Sequence, residues 1–139
     1  MEVLQNMVTG FGIAVTPMNL ILCLAGCFVG TLIGVLPGIG PAATIALLLP
    51  VTFNLPPATA IIMLSGIFYG AMYGGSTTAI LVNIPGEAAA AITCIDGYQM
   101  ARGGRAGPAL GIAAFGSFIA GTFGVFLLML IAPPVAETA

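Results

Sequence analysis

Two short segments of the sequence combine Pro-Gly with an alanine-rich stretch, a pattern that can present backbone groups to a ligand. They are residues 36–43, LPGIGPAA, and residues 84–91, IPGEAAAA. Proline and glycine interrupt a helix, and the short helix that follows begins with N–H groups that have no helical acceptor. Because the positive end of the helix dipole lies at the same place, each segment is a candidate anion site.

Polar side chains stand just before the second of these segments. They are Ser76, Thr77, Thr78 and Asn83. Hydroxyl and carboxamide oxygens, together with carbonyl groups released where a helix unwinds, are typical sodium ligands in transporters. Thr77, Thr78 and Asn83 are therefore candidate sodium ligands. The alternative interpretation is that these side chains form hydrogen bonds between packed helices.

Glu87 is the one acidic residue in an otherwise apolar neighbourhood. An ionisable group inside a membrane is costly, so its presence suggests a function such as coupling to a proton or another cation. An acidic residue in the first turn of a helix also complements the helix dipole. Both interpretations of Glu87 stay open at this level.

The composition places these segments in a membrane. Of 139 residues, 60% are hydrophobic and only 4% are charged, whereas soluble domains are about 25% charged. The chain has no histidine to activate a serine and no lysine for a phosphate-binding loop. Its two basic residues cannot form a basic face for nucleic acid. We therefore expect neither an enzyme, nor a nucleic-acid-binding protein, nor a bound cofactor.

The hydropathy pattern predicts an all-α polytopic membrane protein. Its spanning helices are expected to be joined by short helices that are either broken by Pro-Gly or re-entrant. Residues 18–36, 58–82 and 110–131 are long and apolar enough to span a bilayer. The second of these spans is expected to be interrupted at its glycines. Residues 42–49 and 88–95 form apolar helices that are too short to cross alone.

The flanking segments are more polar. Residues 1–16 are mildly amphipathic and predict an interfacial helix. Residues 96–108 are expected to form a polar loop, and they contain Arg102 and Arg105, which are candidate topology anchors. The whole chain is expected to be a single transmembrane region.

Two of the predicted spans carry glycine every four residues, and we call these stripes the glycine ladders. Such a stripe allows another helix backbone to approach closely, which is a common way for helices to associate in lipid. The ladders consist of Gly26, Gly30 and Gly34 in the first span, and Gly66, Gly70 and Gly74 in the second.

Two long motifs resemble a known family. Residues 30–41, GTLIGVLPGIGP, and residues 73–86, YGGSTTAILVNIPG, are similar to the large membrane subunit of tripartite tricarboxylate transporters, the TctA family. The resemblance extends over nearly the whole chain. It implies substrate-binding roles for the residues that match the two motifs, namely Pro37, Gly38, Gly40, Pro41, Gly75, Ser76, Thr77, Thr78, Asn83, Pro85 and Gly86.

This resemblance implies a permease of the bacterial inner membrane. Such a permease takes up tri- or dicarboxylates such as citrate by secondary active transport, with sodium or protons as the coupling ion. It works with a small membrane subunit and a periplasmic solute-binding protein. Members of the family are several times longer, so we expect this chain to be the N-terminal part of a longer permease.

Two other hypotheses fit the composition without the resemblance. The chain could be a complete small exporter that dimerises through its glycine ladders and uses Glu87 as a proton-coupled site. It could also be an assembly subunit of a membrane complex that transports no substrate.

Overall fold

The computed structural model describes the backbone of residues 2–138 and the side chains of residues 5–131. Over this range the chain is helical and contains no β-strand. Two short 3₁₀ helices, Leu49–Thr52 and Ala88–Ala90, accompany six α-helices. The α-helices are α1 (Glu2–Ala14), α2 (Pro17–Gly34), α3 (Pro41–Leu48), α4 (Pro57–Val82), α5 (Ala91–Arg102) and α6 (Ala106–Thr138).

Three of these helices are long and apolar enough to cross a membrane. They are α2, α4 and the Ala106–Ile131 part of α6. Shorter apolar helices lie between them, as predicted from the Pro-Gly breaks. The structure thus confirms the all-α membrane architecture expected from hydropathy.

Proline begins α2, α3 and α4, at Pro17, Pro41 and Pro57. The first helical position suits proline because its missing N–H would have no helical acceptor there, and its φ is already helical. The corner between α1 and α2 is closed by Asn19, whose Nδ2 donates to the carbonyl oxygen of Ile13 at 2.7 Å. One of the few polar side chains in the first span therefore satisfies the free carbonyl end of α1.

The two glycine ladders pack directly against each other. A Cβ atom built on Gly26 would lie 2.6 Å from the carbonyl oxygen of Met63, and one built on Gly74 would lie 2.5 Å from that of Thr31. A Cβ on Gly70 would collide with the carbonyl oxygen of Cys27. Each ladder thus accepts the backbone of the opposite helix, which confirms the close approach predicted from glycine spacing.

Helix α4 continues without interruption through Gly70, Gly74 and Gly75, so the predicted break at these glycines is wrong. Glycine weakens an isolated helix because the unfolded backbone has more freedom to lose. Here the space of the missing side chains is filled by the backbone of α2 and of Val35 at Gly70 and Gly74, and by Gly86 at Gly75. This packing compensates for the low helix propensity of glycine.

The polar stretch near the arginines is also more helical than expected. Asp96 and Arg102 both belong to α5, and α6 begins at Ala106, so the connection is a short turn rather than a loop over residues 96–108. A Cβ on Gly97 would lie 2.8 Å from Cγ1 of Ile80. This contact packs α5 on α4, and tertiary packing outweighs the local propensity of the polar residues.

Candidate functional site

The two Pro-Gly segments meet beside α4. The backbone N–H of Gly86 donates to the carbonyl oxygen of Gly75 at 3.4 Å, and a Cβ built on Gly86 would lie 3.0 Å from the carbonyl oxygen of Gly34. A Cβ built on Gly40 would lie 3.7 Å from the Cβ of Glu87. These five residues, Gly34, Gly40, Gly75, Gly86 and Glu87, form what we call the break junction.

Glycine at this junction allows backbones to touch. A Cβ on Gly75 would lie 3.4 Å from the Cα of Gly86, and a Cβ on Gly86 would collide with the Cα of Gly75. Both residues are buried. The sequence identified Gly75 and Gly86 as site residues but assigned Gly34 only to its ladder. Gly34 is the last glycine of its ladder and directly precedes the first break. This position was the signal in the sequence that it belongs to the junction.

The first break contributes its second half to the junction. Gly40 is the residue before α3 and lies against Glu87, and Pro41 is the first residue of α3. Pro37 and Gly38 are exposed in the preceding turn. Gly38 has a φ of +84°, a conformation that glycine adopts without steric cost. Pro37 and Gly38 therefore shape the turn, whereas Gly40 borders the junction.

Each break is followed by a helix that begins directly after a junction residue, Gly40 or Glu87. The N–H of Thr44 donates to the carbonyl oxygen of Gly40 at 3.1 Å, and the N–H of Ala90 donates to that of Glu87 at 3.1 Å. The N–H groups that precede these donors in each helix have no carbonyl available within the helix. The carbonyl of Gly40 also accepts from the hydroxyl of Thr44, which is fully buried. The junction therefore joins two helix starts with free donors.

The three hydroxyl residues of the second motif lie on α4, directly after Gly75. Ser76 and Thr77 donate to carbonyl oxygens of the preceding turn, at 3.1 and 2.9 Å. Thr78 donates to the carbonyl oxygen of Gly75 at 3.1 Å. Because α4 does not unwind, it releases no carbonyl groups for sodium at this point. The hydroxyl oxygens retain lone pairs that can still accept a hydrogen bond or bind a cation.

Asn83 ends α4 in the left-handed conformation, with φ 61° and ψ 29°. Asparagine tolerates this conformation better than other non-glycine residues, and it is a common helix terminator. Its side chain is exposed, as are those of Ile84 and Pro85. Asn83 thus has a conformational role that the sequence did not reveal.

This role predicts the effect of substitution at Asn83. Asn83→Gly should leave the free energy of unfolding unchanged, whereas Asn83→Val should lower it by about 1–2 kcal/mol, the usual cost of a left-handed non-glycine residue. Unfolding of the purified protein in detergent, followed by circular dichroism, measures both. Equal losses in the two variants would contradict a conformational role.

Glu87 is the acidic side chain of the junction. It is half-buried and precedes the 3₁₀ helix Ala88–Ala90. Burial raises the pKa of its carboxyl group above the ordinary value, because an apolar surrounding disfavours the charged form. The two arginines of the chain are exposed near the turn between α5 and α6. They lie outside the break junction.

Comparison with known proteins agrees with the motifs at this junction. Residues 20–139 match the model of the tripartite tricarboxylate transporter TctA family. The chain is 60% identical over all 139 residues to a protein of Agrobacterium vitis described as an "uncharacterized 52.8 kDa protein in TAR-I ttuC' 3'region". It spans 28% of the length of that relative. No solved structure matches the chain.

The matched range includes both Pro-Gly segments, both glycine ladders and the four polar residues Ser76, Thr77, Thr78 and Asn83. The resemblance seen in two motifs therefore extends over most of the chain. This chain belongs to the tripartite tricarboxylate transporter TctA family.

Proposed function

We propose that this chain is part of a permease that takes up tri- or dicarboxylates, such as citrate, across the bacterial inner membrane by secondary active transport. The break junction is the part of the substrate site that this chain supplies. The observation that carries the proposal is the meeting of two helix breaks, because Gly40 of the first lies against Glu87 of the second and Gly86 of the second lies against Gly75. Membership of a transporter family favours this function over the small exporter and the assembly subunit.

Backbone donors are the main anion-binding groups that this chain offers. Gly40 directly precedes α3, Glu87 directly precedes the helix after the second break, and both residues belong to the junction. Free N–H groups at helix starts bind carboxylates in broken-helix transporters. Arg102 and Arg105 lie elsewhere. The substrate charge must therefore be balanced by these dipoles together with cotransported cations or basic residues outside this chain.

Glu87 links substrate binding to a cation. A charged Glu87 carboxylate would repel a substrate carboxylate across the junction, and this repulsion is strong where water is excluded. Protonation of Glu87 removes the repulsion, and its raised pKa makes that protonation easier. Sodium is the other candidate coupling ion, with Thr77, Thr78 and Asn83 as its ligands.

The partners in this proposal are a periplasmic solute-binding protein and a small membrane subunit. The family name describes a tripartite transporter, which supports two further components beside the large membrane subunit. The binding protein would deliver the carboxylate to the periplasmic side of the permease.

Transport in vesicles tests the proposal. The complete permease would be reconstituted with its small subunit and binding protein, and uptake of labelled citrate and of a labelled dicarboxylate would be measured under an imposed sodium or proton gradient. We expect uptake that requires the binding protein and one of the two gradients. Uptake that proceeds equally without either gradient would contradict secondary active transport.

Glu87→Gln tests the coupling role separately. We expect this variant to lose the dependence of uptake on an imposed proton gradient, because glutamine cannot exchange a proton, while folding is retained. Asp96→Asn is the matched control, since Asp96 is exposed on α5, away from the junction. If Glu87→Gln responds to the proton gradient as the unmodified permease does, Glu87 is not the coupling group.

A further inference from the structure

Helix α6 has far less contact with the rest of the chain than the other two long helices. Its most apolar stretch is 0% buried, compared with 39% for that of α4. A Cβ built on Gly111, Gly116 or Gly124 of α6 would meet no atom within 4 Å. The glycines of α2 and α4, in contrast, are closed by a neighbouring backbone.

A cleft of about 970 Å³ lies between α1, α4 and α6. Phe11 of α1, Tyr69 and Tyr73 of α4, and Phe126 of α6 are among the residues that line it. The residues of α4 that line the cleft include Tyr69 and Tyr73, whereas α4 contacts α2 through its ladder glycines, which are not among the lining residues. The cleft is therefore separate from the contact between the two glycine ladders.

The walls of the cleft allow a helix to approach closely. Small residues occur on both sides, with Gly10 on α1 and Gly121 on α6, and small residues allow a helix backbone to come near. The lining is almost entirely apolar, and the hydroxyl groups of Tyr69, Tyr73 and Ser117 are among its few polar groups. A helix that packs here therefore presents a largely apolar face to the cleft.

The length of the relative supplies a source for such a helix. More than two thirds of the Agrobacterium vitis protein lies outside the region matched by this chain. We propose that a transmembrane helix from the part of the longer permease outside these 139 residues packs into the cleft between α1, α4 and α6. This inference rests on the proposed function in that the chain is taken as part of a longer permease, but it does not rest on the identity of the substrate.

Photo-crosslinking tests this assignment in a full-length protein. A chimera in which these 139 residues replace the matched region of the Agrobacterium vitis relative provides the complete chain. p-Benzoylphenylalanine would replace Phe11 and, separately, Phe126, which line the cleft from α1 and α6. Phe115 is the matched control, because it is 74% exposed and is not among the residues that line the cleft.

We expect the probes at Phe11 and Phe126 to crosslink to the same transmembrane segment outside the 139 residues, as identified by mass spectrometry of the peptides. The probe at Phe115 should not reach that segment. The proposal is overturned by crosslinks from the cleft to lipid only, to a separate polypeptide, or only to other residues of this chain. Capture of the same segment from Phe115 also overturns it. Met129, on the same wall as Phe126, replaces any position at which the probe prevents expression.

Discussion

Gly70→Ala is expected to lower the free energy of unfolding by about 1–3 kcal/mol, although alanine is the better helix former. The added methyl group would collide with the carbonyl oxygen of Cys27 and come within 2.9 Å of the backbone N of Thr31. Both contacts involve backbone atoms of α2, so this overlap can be removed only if the two helices separate. Separation also weakens the neighbouring contacts along both ladders, because the same helices make them.

The matched control for Gly70→Ala is Gly124→Ala on α6. A Cβ on Gly124 meets no atom within 4 Å, so the helix propensity of alanine should raise or preserve stability. Unfolding of both variants in mixed detergent micelles, at increasing fractions of denaturing detergent, measures the difference. Equal stability of the two variants would show that the ladders are not in close backbone contact.

Gly86→Ala is expected to reduce carboxylate uptake by the complete permease on the order of tenfold or more. Its methyl group would collide with the Cα of Gly75 and lie 3.0 Å from the carbonyl oxygen of Gly34. The second break would therefore move away from α4, and the two helix starts would no longer lie together at the break junction. Displacements of about 1 Å at a binding site can cost on the order of a hundredfold in rate.

Two measurements separate this effect from a failure to fold. The amount of Gly86→Ala permease in the membrane and its unfolding in detergent report on folding, and uptake is compared at equal amounts of folded protein. Gly12→Ala on α1 is the control, because a Cβ there meets no atom within 4 Å. Normal uptake by Gly86→Ala would remove the break junction from the proposed substrate site.

The glycine residues show which structural features can be predicted from local sequence and which cannot. The spacing in α2 and α4 predicted close helix packing, and the structure confirms it. The same residues also suggested a break in α4, which does not occur. Helix propensity treats each residue alone, whereas the stability of this segment depends on a helix more than thirty positions away along the chain.

The polar residues of the second motif illustrate a similar limit. The sequence predicted Asn83 as a candidate sodium ligand, and the structure adds a backbone role for it at the end of α4. Thr77 and Thr78 bond to carbonyl groups of their own helix. Residue type indicates which bonds a side chain can form, but competition between local and distant partners depends on the folded backbone.

Hydropathy and residue type were enough to predict the membrane class, the three long helices and the positions of both Pro-Gly breaks. These properties are local, because hydropathy along a segment and the geometry of proline and glycine do not require knowledge of distant residues. The contact between Gly34, Gly75 and Gly86, in contrast, depends on how the helices pack and is seen only in the tertiary structure. Which distant residues meet depends on how each helix is rotated about its axis and shifted along it. Many different packings are compatible with the same local pattern.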